Sequence, residues 1–269
     1  MNIRKATAFI KRDLYWELSY RFSFAWEILG IFFSVTMFYF IAKLFGPSAL
    51  PYLEGYQVDY FPFVLLGIAF QTYFTTALSA FSGAIAHGQI TGTLEAMLVT
   101  PTKLVHILVY SSLWRFLEAS RDVLVYLLLG ALLFQVNFGS VNLLSAGVIL
   151  ALTILSFSCV GILSASFILV FKRGDPIAFV MGTLSALLGG VYYPITVLPD
   201  WLQTFSYFIP LTYSLRGMRH AVLQGYSVSQ LLPDILPLLA FFVAMLPVSS
   251  YGLRYAIRRA KAGGTLAHY

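Results

Sequence analysis

The sequence predicts an all-α integral membrane protein with six transmembrane helices. Three observations carry that prediction. Hydrophobic residues make up 59% of the 269 residues and charged residues only 10%, against about 25% charged in a soluble domain, so a water-soluble fold of this size would lack the charges to cover its surface. Six apolar runs recur, each near the roughly 20 residues a helix needs to cross the hydrocarbon core. The charges gather between those runs. A bilayer reconciles all three, because a helix satisfies its own backbone there. No stretch outside the runs exceeds about 40 residues, so 1–269 reads as a single transmembrane domain.

Residues 1–21 read as an amphipathic interfacial helix. Ile3, Ala6, Ile10, Leu14 and Leu18 follow at helical spacing, with Arg4, Lys11 and Arg12 off that stripe. Glu17 and Arg21 form a favourable i,i+4 pair. Such a segment is expected to lie in the inner headgroup layer. It lacks the short apolar core and small-residue cleavage site of a signal peptide. Spans follow at 22–45, 60–81, 117–136, 143–171, 176–193 and 231–253, with a cytoplasmic tail at 254–269. The third is the weakest: its uncharged core, 123–136, is too short to cross, so it must recruit the turns around Glu118, Arg121 and Asp122.

Orientation follows from Lys and Arg. With the N-terminus inside, 14 of the 17 basic residues fall on the inner side and only Lys43, Arg216 and Arg219 outside. An even number of spans then places both termini in the cytoplasm. The net charge of +6 is thereby an orientation signal spread over short loops and tails, which argues against nucleic acid as a partner. Cys159 sits alone in the fourth run as a small packing residue, and His87, His106, His220 and His268 show no metal spacing.

Three connections are unusual. Residues 82–106 hold a short helix at about 93–99, bracketed by Gly92 and by Thr100-Pro101, where a new helix is expected to start. Leu94, Met97 and Leu98 beside Glu95 suit a helix that lies across the membrane surface and docks another protein; an ordinary loop helix is the alternative. Residues 191–230 are too apolar for a free loop and too broken by Pro194, Pro199 and Pro210 for a span. Two short re-entrant helices fit there, one capped by Asp200 and starting at Trp201, the other running from Thr212 to about Leu223. Broken backbone at that depth must be buried in protein. The turn Lys172-Arg173-Gly174-Asp175-Pro176 is either a plain charged turn or a second contact for a cytoplasmic partner.

Inside the spans, Gln71, Thr75 and Ser79 share one face of the second, with Thr72 and Thr76 beside it. They line a translocation path or glue helices together. In the fifth, Ala178, Gly182, Ala186 and Gly190 recur every four residues, flanked by Ser185 and Gly189, a pattern that lets another helix approach closely, in this chain or a sister subunit. Arg115, Glu118, Arg121 and Asp122 stand where the third span enters; they are either structural ion pairs or a relay for motion.

The stretch GTLEAMLVTP at 92–101 resembles the cytoplasmic coupling segment of the type-2 ATP-binding-cassette permeases, exporters of polysaccharides, lipids and drugs. YYPITVLPDWLQTFSYFIPLTYSLRGMRHAVLQG at 192–225, with Tyr193, Pro194, Pro199, Trp201 and the Pro-Leu-Thr-Tyr signature that begins at Pro210, is similar to the outer re-entrant region of that family. The resemblance covers nearly the whole chain. It implies a permease subunit in a bacterial inner membrane, paired as a homodimer through the small face of the fifth span. It further implies coupling through Gly92, Leu94, Glu95, Met97, Leu98 and Pro101, with Lys172, Arg173 and Asp175 as a second contact, to two copies of a separate ATPase subunit that holds ATP and Mg. The chain itself has no G-x-x-x-x-G-K-[ST] to cradle a phosphate, and no catalytic residue, metal or cofactor is expected in it. A secondary transporter would want ionisable residues at mid-membrane, and a membrane-embedded lipid-modifying enzyme a clustered acid motif; neither is present. Between a lipid-linked glycan, a lipid and a hydrophobic drug as substrate the sequence does not decide.

Overall fold

Helices form wherever the sequence is apolar, and breaks fall at glycine, proline and charged turns. The computed structural model describes residues 3–19, 21–56, 58–93, 100, 102, 104–172 and 174–262. Its helices are α1 (Ile3–Ser19), α2 (Arg21–Leu53), α3 (Tyr60–Ile90), α4 (Leu104–Leu132), α5 (Leu143–Phe171), α6 (Pro176–Leu188), α7 (Asp200–Ser206), α8 (Pro210–Leu223) and α9 (Leu232–Ala262), with 3-10 turns at Glu54–Tyr56 and Ile195–Val197. Among the described residues there is no strand.

Four stretches are long and apolar enough to cross a membrane: Phe24–Leu44, Tyr60–Ile90, Leu143–Phe171 and Leu232–Ala260. The other two expected spans are built differently. α4 has 29 residues, but it starts at Leu104 rather than at 117 and carries Arg115, Glu118, Arg121 and Asp122 in its middle. α6 has 13 residues, about 20 Å of helix, short of the roughly 30 Å hydrocarbon core. The expected run to 193 stops because Gly190 adopts φ 78°, a left-handed conformation that ends a helix and that glycine takes without strain. Two other boundaries move. α3 continues to Ile90 rather than stopping at 81. α9 continues past 253 to Ala262, with Ala256 and Ala260 buried in the bundle.

α3 is the central helix, lying against α2, α4, α5 and α8, while α5 also takes α9 along its length. The α3–α5 crossing is close: a Cβ on Gly161 would run into the carbonyls of Ala77 and Leu78. One cluster, Phe81, Ile85, Leu108, Leu169 and Leu253 among its members, fills the end of the bundle that carries α1. Another, with Leu66, Ile149, Met218 and Leu238, fills the far end. α1 and the end of α9 thus share one end, and α7 and α8 occupy the other.

At the far end the chain leaves regular structure after α6 and returns as α7 and α8, the two short helices expected there. The first begins at Asp200 itself, with Pro199 as the preceding cap. The second begins at Pro210, whose ring suits the first helical position. The irregular segment is buried at Gly189, Gly190, Val191 and Pro194, so its carbonyls need partners. Arg219 of α8 supplies them. Its guanidinium donates to Gly190 O at 2.8 Å, Val191 O at 3.0 Å and Phe63 O at 3.1 Å, and it lies 3.4 Å over the Phe63 ring. A Cβ on Gly67 would strike both Val191 O and this guanidinium. Each orphaned buried carbonyl costs about 1–3 kcal/mol, so Arg219→Met is expected to destabilise the protein by at least about 3 kcal/mol. Arg219→Lys should recover little of it, because an ammonium cannot span three carbonyls as a planar fork does. Thermal unfolding of the detergent-solubilised variants checks this; wild-type stability in Arg219→Met would show that the carbonyls find other partners.

Candidate translocation surface and ion cluster

α3 buries most of its circumference but leaves one strip open. Phe63, Val64, Leu66, Ala69, Phe74 and Ala77 are fully buried. Thr75 and Ser79 are exposed, with Gln71, Thr72 and Thr76 half-buried beside them, and the strip continues through exposed Gly83 and His87. No large aliphatic side chain is on this strip between 71 and 87, although a lipid-facing strip would be built of them. The five predicted residues are therefore brought together on one open face. Local bonds hold the hydroxyls: Thr75 Oγ1 donates to Thr72 O at 3.0 Å and Ser79 Oγ to Thr75 O at 2.8 Å. That satisfies each donor within the helix and leaves the oxygen lone pairs free to accept. Gln71 Oε1 accepts from the Tyr192 hydroxyl at 3.4 Å, which joins the strip to the broken segment after α6.

The second site lies where α1, α2 and α4 meet. Arg121 reaches Glu17 at 2.5 Å, Glu27 at 2.6 Å and Asp122 at 2.8 Å, so three carboxylates from three helices converge on one guanidinium. Glu118 accepts from Trp114 Nε1 at 2.7 Å and from Arg115 at 3.3 Å. The sequence flagged Arg115, Glu118, Arg121 and Asp122, but Glu17 was assigned to Arg21 and Glu27 to no partner. Both turn to Arg121, across 104 and 94 residues, a separation that no local spacing rule reaches; the Arg21 side chain lies outside the described residues. α1 holds Ala6 and Ile10 of the expected stripe half-buried and Leu14 and Leu18 exposed, with the Ile3 side chain outside the described residues. It runs alongside α4, with Lys5 Nζ donating to Thr102 Oγ1 at 2.8 Å and Phe9 5.7 Å from Tyr110.

At the far end Arg219 is fully buried and meets no carboxylate among the described residues. Burial lowers its pKa to about 10, so it stays a cation at neutral pH. Arg216, three residues earlier, pairs with Asp234 of α9 at 2.6 Å. His220 stacks between Tyr56 at 5.1 Å and Tyr226 at 4.9 Å. Of the expected re-entrant residues, Pro194 and Pro210 are buried, Pro199 and Trp201 are exposed, and the Tyr193 hydroxyl donates to Leu187 O at 2.5 Å. Sequence reasoning counted Arg219 as an outer-loop charge. The signal that could have found it was its place on the apolar stripe of Leu211, Leu215, Met218 and Val222, where a cation has no business unless it is bonded.

The small face of α6 divides. Ser185 is buried and Gly189 lies against Leu211, so that side faces this chain. Ala178, Gly182 and Ala186 are half-buried, and nothing lies within 4 Å of where a Gly182 Cβ would be. Gly190 is past the helix end, and its φ rather than close helix approach explains the glycine. At the α5–α6 turn Lys172 ends α5 in a left-handed conformation, φ 54°. Asp175 accepts from Ala178 N at 3.0 Å and from the Ser164 hydroxyl, which makes it a helix cap. Gly92 closes α3 at φ 67°, while Leu94, Glu95, Met97, Leu98, Pro101 and Arg173 lie outside the described residues.

Comparison with known proteins places this arrangement. Residues 7–223 match the family described as ABC-2 type transporter. The chain belongs to that family. The match runs from α1 to the last residue of α8 and so includes the polar strip, the ion cluster and Arg219. The inner membrane transport permease YadH of Escherichia coli K12 is 25% identical over 212 residues, 78% of this chain and 80% of its own length, and the YadH of Shigella flexneri is similar to the same extent. As an ABC-2 type transporter chain the protein is a membrane transport subunit and not itself an enzyme. The α3 strip is an open polar face on a helix long enough to cross the membrane.

If that strip is wet, cysteines placed at Thr75 and Ser79 should react with a membrane-impermeant maleimide at least roughly ten-fold faster than the buried native Cys159. Rates no faster than that of Cys159 would mean that the strip is packed against protein.

Proposed function

We propose that this chain is the membrane-spanning subunit of an ATP-driven exporter in a bacterial inner membrane, and that it moves an amphiphilic substrate outward: a lipid-linked glycan, a lipid or a hydrophobic drug. The family match over 7–223 carries the reading. On it the chain crosses six times, with α4 as one crossing and α6 continued by the irregular segment after it as another, and with both termini in the cytoplasm. The excess of Lys and Arg at the end that carries α1 supports that orientation. ATP and Mg are bound by a separate ATPase subunit, present in two copies, because this sequence has no phosphate loop. The purified chain should then hydrolyse no ATP, and transport should require the partner; ATP turnover by the chain alone would refute the division of labour.

Docking is assigned to residues 92–101. Leu94, Met97 and Leu98 bury against the ATPase subunit and Glu95 makes a polar contact. Burying one such side chain is worth roughly 1.5–3 kcal/mol, so Leu94→Ala or Met97→Ala should weaken assembly by about one to two decades. Glu95→Ala should still assemble yet lose ATP-driven transport. Co-purification and vesicle transport, measured separately, check this; normal results for all three variants would move the coupling element to the turn at 172–175.

The functional unit is read as a homodimer joined through α6. The open space over Gly182 supports this. Gly182→Leu should fold with near-native stability, since a Cβ there meets nothing in this chain, but should shift the protein to monomer in light scattering. A cysteine at Ala186 should crosslink to its symmetry mate. An unchanged dimer in Gly182→Leu would place the interface elsewhere.

A further inference from the structure

Between α1, the start of α2 and α4 lies a cavity of about 560 Å³, within the range of roughly 300–1,000 Å³ that holds drug-sized ligands. Its walls are Leu14, Leu18, Trp114 and Leu117, and its polar groups are Glu17, Glu118 and Arg121. Leu14, Leu18 and Leu117 are only partly covered by the described chain: they are 38%, 53% and 49% exposed. An apolar cavity of this kind beside charges suits an amphiphile.

The sign of the charge decides which. Glu17, Glu27 and Asp122 all bind Arg121, and Glu118 has, besides the Trp114 N–H, Arg115 as its cation, itself two-thirds exposed at 67%. Among the described side chains four carboxylates therefore face two guanidiniums. Arg121 is saturated by its three partners and covers the Phe24 ring at 5.0 Å, so it has little left to offer an anion. The surplus is negative. Glu17 Oε2 is buried and accepts no hydrogen bond among the described residues. Trp114 lines the cavity beside Glu118, and an indole face next to a carboxylate is the pairing that attracts an organic cation.

We infer that this cavity binds a lipophilic cation, its apolar body against Leu14, Leu18 and Leu117 and its positive centre between Trp114, Glu118 and Glu17. Resting on the export reading above, it also names the substrate class: a drug-sized amphiphilic cation taken up where α1 meets the inner boundary of the membrane. A phospholipid with two acyl chains is too large for the cavity to enclose.

Tetraphenylphosphonium and tetraphenylborate have the same shape and opposite charge, so together they separate charge recognition from greasiness. The purified full-length chain in phosphatidylcholine nanodiscs should bind radiolabelled tetraphenylphosphonium saturably, and tetraphenylborate should not displace it. Glu118→Gln, which keeps the shape, should weaken binding by about ten-fold. Leu117→Trp, which fills the cavity and removes no charge, should abolish it. Absence of saturable binding, equal displacement by the borate, or unchanged binding in both variants with native thermal stability would overturn the site. Vesicles that contain the chain with its ATPase partner give the second arm. If wild type binds the cation but vesicles do not accumulate it on addition of ATP, the substrate assignment fails and the binding site stands. If they accumulate it equally well with Glu118→Gln and Leu117→Trp, the export reading stands and the site fails.

Discussion

A helix that breaks off inside an apolar bundle leaves carbonyls with nothing to accept from, and water is not at hand to help. After α6 this chain does that, at Gly190 and Val191, and the rest of the far end is arranged around the remedy. Arg219 holds both carbonyls and that of Phe63 at 2.8–3.1 Å. To do so it must enter the core as a cation, and three features make that tolerable. The Phe63 ring lies 3.4 Å beneath it, three carbonyl dipoles point at it, and Gly67 leaves the space its guanidinium occupies. Remove the glycine, the aromatic face or the break in the chain, and the arginine has no reason to be there.

One consequence is that α8 is fixed in place although it is short and does not cross. It sits among α3, α5, α6 and α9, and each contact has a polar anchor as well as an apolar one. Arg216 holds Asp234 at the start of α9 at 2.6 Å. Asn142 N, at the cap of α5, donates to Ala221 O at 2.9 Å, and the hydroxyls of Thr153 and Ser214 share a hydrogen bond at 2.5 Å. The irregular segment that follows α6 reaches the polar strip through Tyr192, which stacks on Phe38 of α2 at 5.7 Å and donates to Gln71. The far end, the strip and α2 are thus mechanically one assembly.

The sequence disclosed what local rules govern. Composition disclosed the solvent, apolar runs disclosed α2, α3, α5 and α9, and Asp200 and Thr212 marked the starts of α7 and α8 to within a turn. The face shared by Gln71, Thr75 and Ser79 was legible because four-residue spacing fixes direction on a helix. What was not legible depends on partners far along the chain. The i,i+4 rule points Glu17 to Arg21, and no local rule points it or Glu27 to the distant Arg121. The start of α4 was missed for the same reason: charges at 115–122 argue against a continuous helix when read alone, whereas Arg121 is held there by carboxylates from α1 and α2. Gly190 looked like the last step of a small-residue ladder, but its positive φ serves a turn.

α1 acquires its meaning from this long-range pairing. It begins beside Thr102, at the edge of residues 92–101, and ends at Arg121, and it contacts α4 between through Phe9 and Tyr110. A helix fastened by a polar contact at one end and a charge cluster at the other behaves as a strut, because its internal hydrogen bonds resist stretching while its ends can pivot. On the export reading, force delivered by an ATPase at 92–101 would have two parallel routes into the membrane: along α4 itself, and along α1 to the junction where Glu17, Glu27 and Arg121 tie α1, α2 and α4 together. Two helices joined at both ends transmit tilt more faithfully than one, since neither can bend without shearing against the other. The cavity with its negative surplus lies inside that joint. Any motion that changes the spacing of α1 from α4 therefore changes the volume and the field offered to a bound cation, so that coupling and substrate handling become one mechanical event and need no separate signal between them.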